Sequence, residues 1–390
     1  MSRRSNRPLI RWGIAVNKAK PVIKQTQEQV DTFWMSEALA LARRGIYTTR
    51  PNPSVGCVIV RDHELLGRGY TGKVGEPHAE VHALLDAEAN GHDVAGATAY
   101  VTLEPCSHYG RTPPCANALI NAGLGRVVMA TLDSNPQVSG QGLAKLQAAG
   151  IATTVGVCEA EARALNAGFL QTMAGGRPYV RLKVAASLDG RTAMASGESK
   201  WITGSKARLD VQHFRARSGA VITGVGTVLA DDPLLNVREL ADGTPIAQIP
   251  QPLRVVLDRH ARMPTTAQLL ADPATVLVVG ESATDQAEVW PYESLATLLD
   301  ALKVKKNIHD VLIEAGATLS GAFITAGLVD ELIVYLAPTL LGSDGRPMFS
   351  LPLTEMSQQV RWETVSVTPV GDDLRWILRP VRTDRGEAQA

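Results

Sequence analysis

Three side chains in two short stretches have the types and spacing to hold a metal ion. His78 stands in "GEPHAEVHALLDA", separated from Glu80 by one residue in the step His-Ala-Glu, where a helical pattern begins. Further on, Cys106 follows a proline, and the eight residues "SHYGRTPP" separate it from Cys115. One imidazole and two thiolates suit zinc, which favours tetrahedral nitrogen and sulfur ligation and, where it is catalytic, keeps one position for water. Coordination lowers the pKa of that water from about 15.7 to about 7. A carboxylate outside the ligand set must then carry the proton to a departing group, and Glu80 sits where that role requires. Helix N-termini stabilise thiolates, which fits cysteines that precede a helical segment. The alternatives are a disulfide, inert packing of two thiols, and a structural zinc site with His108 as its fourth ligand.

The elements that must position these residues alternate along the chain. From Asp31 the pattern is helical, with Phe33, Trp34, Ala38, Leu41 and Ala42 at three- and four-residue steps and Gly45 as a stop. After the turn "RPNPSVG" come a strand at Cys57–Val60, a helix over 79–89, a strand at Ala97–Leu103 and a helix over 115–122. A strand at Arg126–Leu132, a helix around 142–149 and the strand "IATTVGV" complete the series. Such alternation implies a mostly parallel sheet with helices on both faces. Cys57 and Cys158 fall in apolar strand runs and read as packing residues. At "MAGGRPYV" the alternation breaks on a Gly-Gly pair and a proline, and the domain boundary is placed there. A second series of apolar strands follows: "VRLKVAAS", "GAVITGVG", "LRVVLD", "TVLVVG", "DVLIEAG", "ELIVYLAP" and "LRWILRPV".

Composition narrows the function classes. A chain of 390 residues with 45% hydrophobic and 20% charged residues is globular and long enough for two domains. It has no apolar run long enough to span a bilayer. Lys and Arg total 39 and so do Asp and Glu, which leaves no general surplus for nucleic-acid binding and favours small-molecule substrates. Four cysteines in such a chain make no disulfide framework, and with no signal-peptide core the expected location is cytoplasmic. The first 27 residues carry seven basic and no acidic residues; residues 1–30 are set aside as a floppy extension, a transit peptide being the alternative.

The order His-x-Glu, Pro-Cys, Cys is that of zinc-dependent deaminases. The long cysteine loop departs from the Cys-x-x-Cys of cytidine and tRNA deaminases. With "PNPSVG", "HAE" and "EPCSHYGRTPPC", the stretch Asp31–Gly175 resembles the deaminase domain of the bifunctional riboflavin-biosynthesis deaminase–reductases. In the second half, "LKVAASLDGRTAMASGESKWITG", "ITGVGTVLADDPLLNVR", "IEAGATLSGAF" and "VDELIVYLAPTLLG" resemble that family's reductase domain from Arg177 to Val381. No Gly-x-Gly-x-x-Gly follows the first strand there, so a standard dinucleotide fold is unsupported.

The resemblance implies a cytidine-deaminase-like three-layer α/β/α domain over 31–175 and a dihydrofolate-reductase-like α/β domain over 176–390. It implies that His78, Cys106 and Cys115 bind one zinc, with Glu80 as proton shuttle. Asn52, His108 and Arg111 would line the pyrimidine-nucleotide pocket. NADPH would contact Ala185, Trp201, Thr227, Asp231 and the loop Gly316, Ala317, Thr318, Leu319, Ser320, Gly321 and Ala322. Ser199, Arg215, Leu235, Arg238 and Glu314 would hold the substrate, the two arginines as clamps on its 5-phosphate. Lys183 would be a polar catalyst near the reacting sugar carbon; a plain strand lysine is the alternative, as a simple turn is for Asp231 and a solvated helix face for Arg215. The implied activities are hydrolytic deamination of a diaminopyrimidinone ribosylamine 5-phosphate, then reduction of its ribosyl group to ribityl by NADPH. Implied partners are this nucleotide and a second copy of the chain in a dimer or tetramer, with no nucleic acid and no membrane. A nucleic-acid deaminase would share the zinc site but calls for a basic, aromatic groove, at odds with zero net charge and 5% aromatic residues. A non-catalytic zinc module, and a chain with only one active domain, are the other readings.

Overall fold

The computed structural model describes residues 25–107, 113–136, 139–272, 275–282 and 285–381, and two large sheets organise them. The first helix, Gln27–Gly45, starts ahead of its apolar periodicity because Thr26 and Gln29 form a capping box that satisfies its leading amides. Residues 27–30, expected in a floppy extension, are therefore its first turn; residues 1–24 lie outside the described residues. Asp31 ties this helix to the sheet, accepting from Arg126 at 2.8 and 2.7 Å and from Tyr100 at 2.9 Å.

The first sheet runs in the order Glu64–Tyr70, Gly56–Arg61, Thr98–Val101, Arg126–Met129, Ala152–Val155. Gly56–Arg61 is antiparallel to both neighbours and the last three strands are parallel, so the sheet is mixed where a mostly parallel one was expected. The strand Glu64–Tyr70 has no counterpart in the sequence pattern, because Gly67 and Gly69 break its alternation. Those glycines admit a helix. A Cβ at Gly67 would lie 2.2 Å from the Ala83 carbonyl oxygen, and one at Gly69 2.4 Å from that of Ala79. Bare backbone thus lets helix Ala79–Ala89 lie directly on the strand, which fixes the height of His78 and Glu80 above the sheet. Cys57 is buried in its strand, as expected. Cys158 is not in a strand: the preceding one ends at Val155, and Cys158 is the left-handed N-cap of helix Glu159–Leu165, with φ 55°.

The second sheet has nine strands, in the order Glu288–Trp290, Val276–Gly280, Leu253–Asp258, Ala220–Gly224, Asp310–Glu314, Tyr179–Ser187, Glu331–Ala337, Asp373–Pro380, Trp362–Val370. The first seven are parallel and the last two antiparallel. Val180, Leu182, Ile222, Val311, Ile313 and Leu332 fill its core, each contributing roughly 1.5–3 kcal/mol of burial. Arg181, between Val180 and Leu182 in the strand and so on the opposite face, is also buried, held by Asp310 at 2.5 Å and Glu331 at 3.2 Å. The parallel order brings the carboxyl ends of Ala220–Gly224, Asp310–Glu314 and Tyr179–Ser187 side by side, the usual place for a ligand in such sheets.

Candidate active sites

Two helix starts converge beyond the carboxyl end of strand Thr98–Val101. His78 is the N-cap of helix Ala79–Ala89, Cys115 is the first residue of helix Cys115–Asn121, and Cys106 lies in the turn between strand and second helix. His78 Nδ1 is 3.2 Å from Cys115 Sγ and 3.7 Å from Cys106 Sγ, and the Cys115 amide donates to Cys106 Sγ at 3.2 Å. The three ligand atoms lie within 4.8 Å of one another, the one metal-competent group of its kind among the described residues. All four cysteines are free, so the disulfide alternative is not realised. Two sulfurs and one imidazole nitrogen at this spacing fit zinc, and three protein donors leave its fourth position open. The hydrogen bond with Cys115, then that with His78, holds the Cys106 thiol down to about 4; the same contact and burial push Cys115 up.

Glu80 occupies the first turn of the same helix and is 3% exposed. Burial pushes its carboxyl up to about 7, where it can take and return a proton near neutral pH. Sequence reasoning passed over its neighbour in function, Glu104. That buried carboxylate accepts the amides of Asp133 at 3.1 Å, Gly140 at 3.0 Å and Leu143 at 3.1 Å, and so pins Asp133 and the start of helix Gln141–Ala148 beside Pro105. The available signal was an acid inside the apolar run that leads to Pro-Cys. Asn52 lies in the loop before strand Gly56–Arg61, on the lining of a cavity shared with the second half of the chain. His108 and Arg111 lie outside the described residues.

The second site is assembled from distant segments. Glu314, the last residue of its strand, takes a two-pronged bond from Arg215, Nε to Oε1 at 2.6 Å and Nη2 to Oε2 at 3.0 Å. Lys183 faces it across the adjacent strand, Nζ to Oε2 at 4.0 Å, and is half-buried rather than a plain surface lysine. Burial works against ionisation of Glu314, yet Arg215 and then Lys183 hold its carboxyl below the ordinary value. Burial likewise lowers Lys183. Beneath it, Tyr335 donates to Asp210 at 2.5 Å, and Arg375 braces the same carboxylate at 2.9 and 2.7 Å, a support with no motif in the sequence. Arg238 is exposed, its backbone amide donating to Gln212 at 3.1 Å and its Nη1 to Asn236 at 2.9 Å with no carboxylate ion pair among the described residues, so it is the more available of the two expected phosphate clamps.

The remaining expected contacts divide. Ala185 sits on the central strand, Thr227 and Asp231 on helix Val225–Asp231, and Ser199 bonds Asp231 at 3.4 Å. Trp201 is 70% exposed beneath the Arg208 guanidinium, 4.3 Å from its ring centre. Gly316 caps helix Ala317–Thr325 at the end of the Glu314 strand, where Gly316, Ala317, Thr318, Leu319 and Ala322 have surface. Ser320 and Gly321 face inward, the Ser320 hydroxyl donating to the Ala315 carbonyl at 3.1 Å. The Leu235 side chain is likewise buried, packed with Phe214 and Tyr335, which leaves its backbone to face a ligand.

Fold and sites together define a two-part α/β enzyme, a zinc-binding deaminase unit followed by a reductase unit. The family description "cytidine and deoxycytidylate deaminase zinc-binding region" matches residues 28–131, and "RibD C-terminal domain" matches residues 178–375. Riboflavin biosynthesis protein RibD of Escherichia coli K12 is 49% identical over 364 residues, covering 88% of this chain and 98% of the relative. The Haemophilus influenzae RibD is 47% identical over 365 residues, 90% and 97% of the two chains. Acinetobacter baumannii RibD superposes with a TM-score of 0.86 at 53% identity, over 91% of this chain and 100% of that one. A Thermotoga maritima structure described as a diaminohydroxyphosphoribosylaminopyrimidine deaminase/5-amino-6-(5-phosphoribosylamino)uracil reductase gives 0.84 at 34% identity over the same shares. The chain belongs to the RibD family, the bifunctional deaminase–reductases of riboflavin biosynthesis. Its deaminase unit is of the zinc-binding kind and its reductase unit of the kind that uses NADPH. No helix among the described residues is long and apolar enough to cross a membrane.

Proposed function

We propose that His78, Cys106 and Cys115 hold the zinc and that the first unit hydrolyses the 2-amino group of 2,5-diamino-6-(5-phosphoribosylamino)pyrimidin-4(3H)-one. Bound there, zinc supplies the Lewis acidity that makes water a nucleophile near neutral pH. Glu80 accepts a proton from that water on its carboxylate and delivers it to the leaving nitrogen, so that a C–N bond breaks, a carbonyl forms and ammonia departs. The observation that carries this is Glu80, buried in the first helical turn two residues after His78, its carboxyl pushed up to about 7 by burial. Asn52 and His108 contact the pyrimidine nucleotide in this reading.

In the second unit Ala185, Trp201, Thr227, Asp231 and the Gly316–Ala322 turn would hold NADPH, which would supply the hydride for C1 of the ribosyl chain as the C1–O bond of the sugar ring opens and its oxygen takes a proton. Lys183, acidified by burial, donates the balancing proton; Glu314 and Arg215 orient the sugar, Arg238 takes the phosphate, and Ser199 and the Leu235 backbone complete the pocket. The helix start at Gly316 offers amides to a cofactor phosphate. The two units divide near Gly175, between helix Ala167–Met173 and strand Tyr179–Ser187. The reading further includes a cytoplasmic location, supported by four free thiols, and a homo-oligomer, dimer or tetramer. The apolar residues Val365 and Val367, exposed on the sheet's edge strand, support association, which sedimentation would measure. The test of the whole is zinc content together with NADPH oxidation on the deaminated pyrimidine: bound zinc in the native chain and none in Cys106→Ser or Cys115→Ser. Zinc retained in both variants overturns the ligand assignment.

A further inference from the structure

We propose that the cavity between the two units is an anion site that takes a phosphate group. It has a volume of about 230 Å³, room for a phosphate and several waters at roughly 30 Å³ per water, and is lined by Arg50 and Asn52 from the first unit and Arg217, Lys306, His309 and Asp310 from the second. Arg50 reaches across to the second unit, its Nη1 bonding the Ser218 carbonyl and its Nη2 that of Pro250 at 2.6 Å. Its Nε is buried and has no partner. Arg217 reaches back, its Nη2 bonding the Leu165 carbonyl at 3.4 Å. Neither guanidinium has an ion pair with a carboxylate among the described residues.

The other charges of the lining are already matched. Asp310, the nearest carboxylate, is engaged by Arg181 at 2.5 Å; Lys306 is paired with Glu288 at 2.6 Å; His309 bonds Thr172 at 2.7 Å. What remains is two guanidiniums that burial disfavours, each pushed down to about 10, which share Asp310 as a more distant counter-charge with Arg181, Glu331 adding to it for Arg217, and neither has a carboxylate in direct ion pair. Buried charges in proteins are ordinarily paired, and two planar forks converging on a polar cavity match the oxygens of a phosphate. A phosphate bonded by Arg50 on one side and Arg217 on the other would also tie the two units together. The ligand is either free phosphate or the phosphate monoester of a sugar or nucleotide.

The test is thermal unfolding of the full chain titrated with inorganic phosphate and, separately, with ribose 5-phosphate. The native chain is stabilised by one or both, and Arg50→Met and Arg217→Met each weaken the apparent affinity roughly tenfold or more. Tighter binding of ribose 5-phosphate identifies a monoester; equal binding identifies free phosphate. Both Met variants keep native deaminase and reductase rates, and Arg238→Met, at the proposed reductase clamp, keeps the native response to inorganic phosphate. If a Met variant fails to fold, Arg217→Lys decides, since it keeps charge and loses the fork: a weaker response supports the site and a native one overturns it. No stabilisation of the native chain, an undiminished response in the Met variants, or loss of the response to inorganic phosphate in Arg238→Met also overturns it.

Discussion

The two catalytic sites are built on opposite electrostatic plans. The first gathers two thiols and an imidazole at two helix starts, inside the single stretch His78–Cys115, with the buried Glu80 in the first turn of the same helix. The second gathers Lys183, Arg215 and Glu314 from three separate segments between positions 183 and 314, two cations around one carboxylate. The first therefore calls for a cation from outside, whereas the second keeps a net positive charge that suits an incoming anion. Metal dependence and acid sensitivity should accordingly part company between the two halves.

Zinc removal is the sharpest way to break this comparison. A chelator should abolish ammonia release, whose general acid–base component alone is about 10²–10⁴-fold, and leave NADPH oxidation on the deaminated pyrimidine intact. Parallel loss of both activities would show that the halves are not independent. Next in size is Glu314→Gln, which strips the carboxylate from a buried pair; it should cost about 3–5 kcal/mol in stability and collapse reductase kcat/KM while deamination persists. The same residue sets a pH dependence. Its folded pKa lies below the unfolded one, so its stabilisation is present above the unfolded value and lost as pH falls through the folded one. Native reductase stability should fall in that acid window, and Glu314→Gln should flatten the fall in denaturant titrations.

The same contrast explains what could be read from the sequence. Helix Ala79–Ala89 and the His78, Glu80, Cys106, Cys115 order were legible because every member lies within one run and the chemistry dictates its spacing. The charged cluster of the second half was reachable only through family resemblance, since no local rule pairs Arg215 with Glu314. Strand Glu64–Tyr70 escaped because its two glycines serve a helix packed on them, a tertiary need that looks locally like a turn. The edge strand Trp362–Val370 escaped because its exposed, proline-bearing pattern resembles a loop. Ser320, Gly321 and Leu235 fell inside the expected contact segments, yet packing turned the Ser320 and Leu235 side chains inward and set Gly321 against the Ser350 backbone.

Two smaller effects sharpen the comparison further. Glu104→Gln leaves one or more of three buried amides unsatisfied, so deaminase activity should fall about tenfold, for a loss of roughly 1–3 kcal/mol, with the reductase untouched. Trp201→Ala removes an exposed aromatic face and should raise KM for NADPH roughly two- to tenfold with kcat and deamination near native.

The most direct measurement is the pair of activities of purified Glu80→Gln, assayed separately on the diaminopyrimidine and on its deaminated product with zinc content recorded. The expected result is zinc bound as in the native chain, no detectable ammonia release, and native NADPH oxidation on the deaminated pyrimidine. Ammonia release at the native rate would contradict the assignment of Glu80 as the proton carrier and, with it, the separation of the two sites.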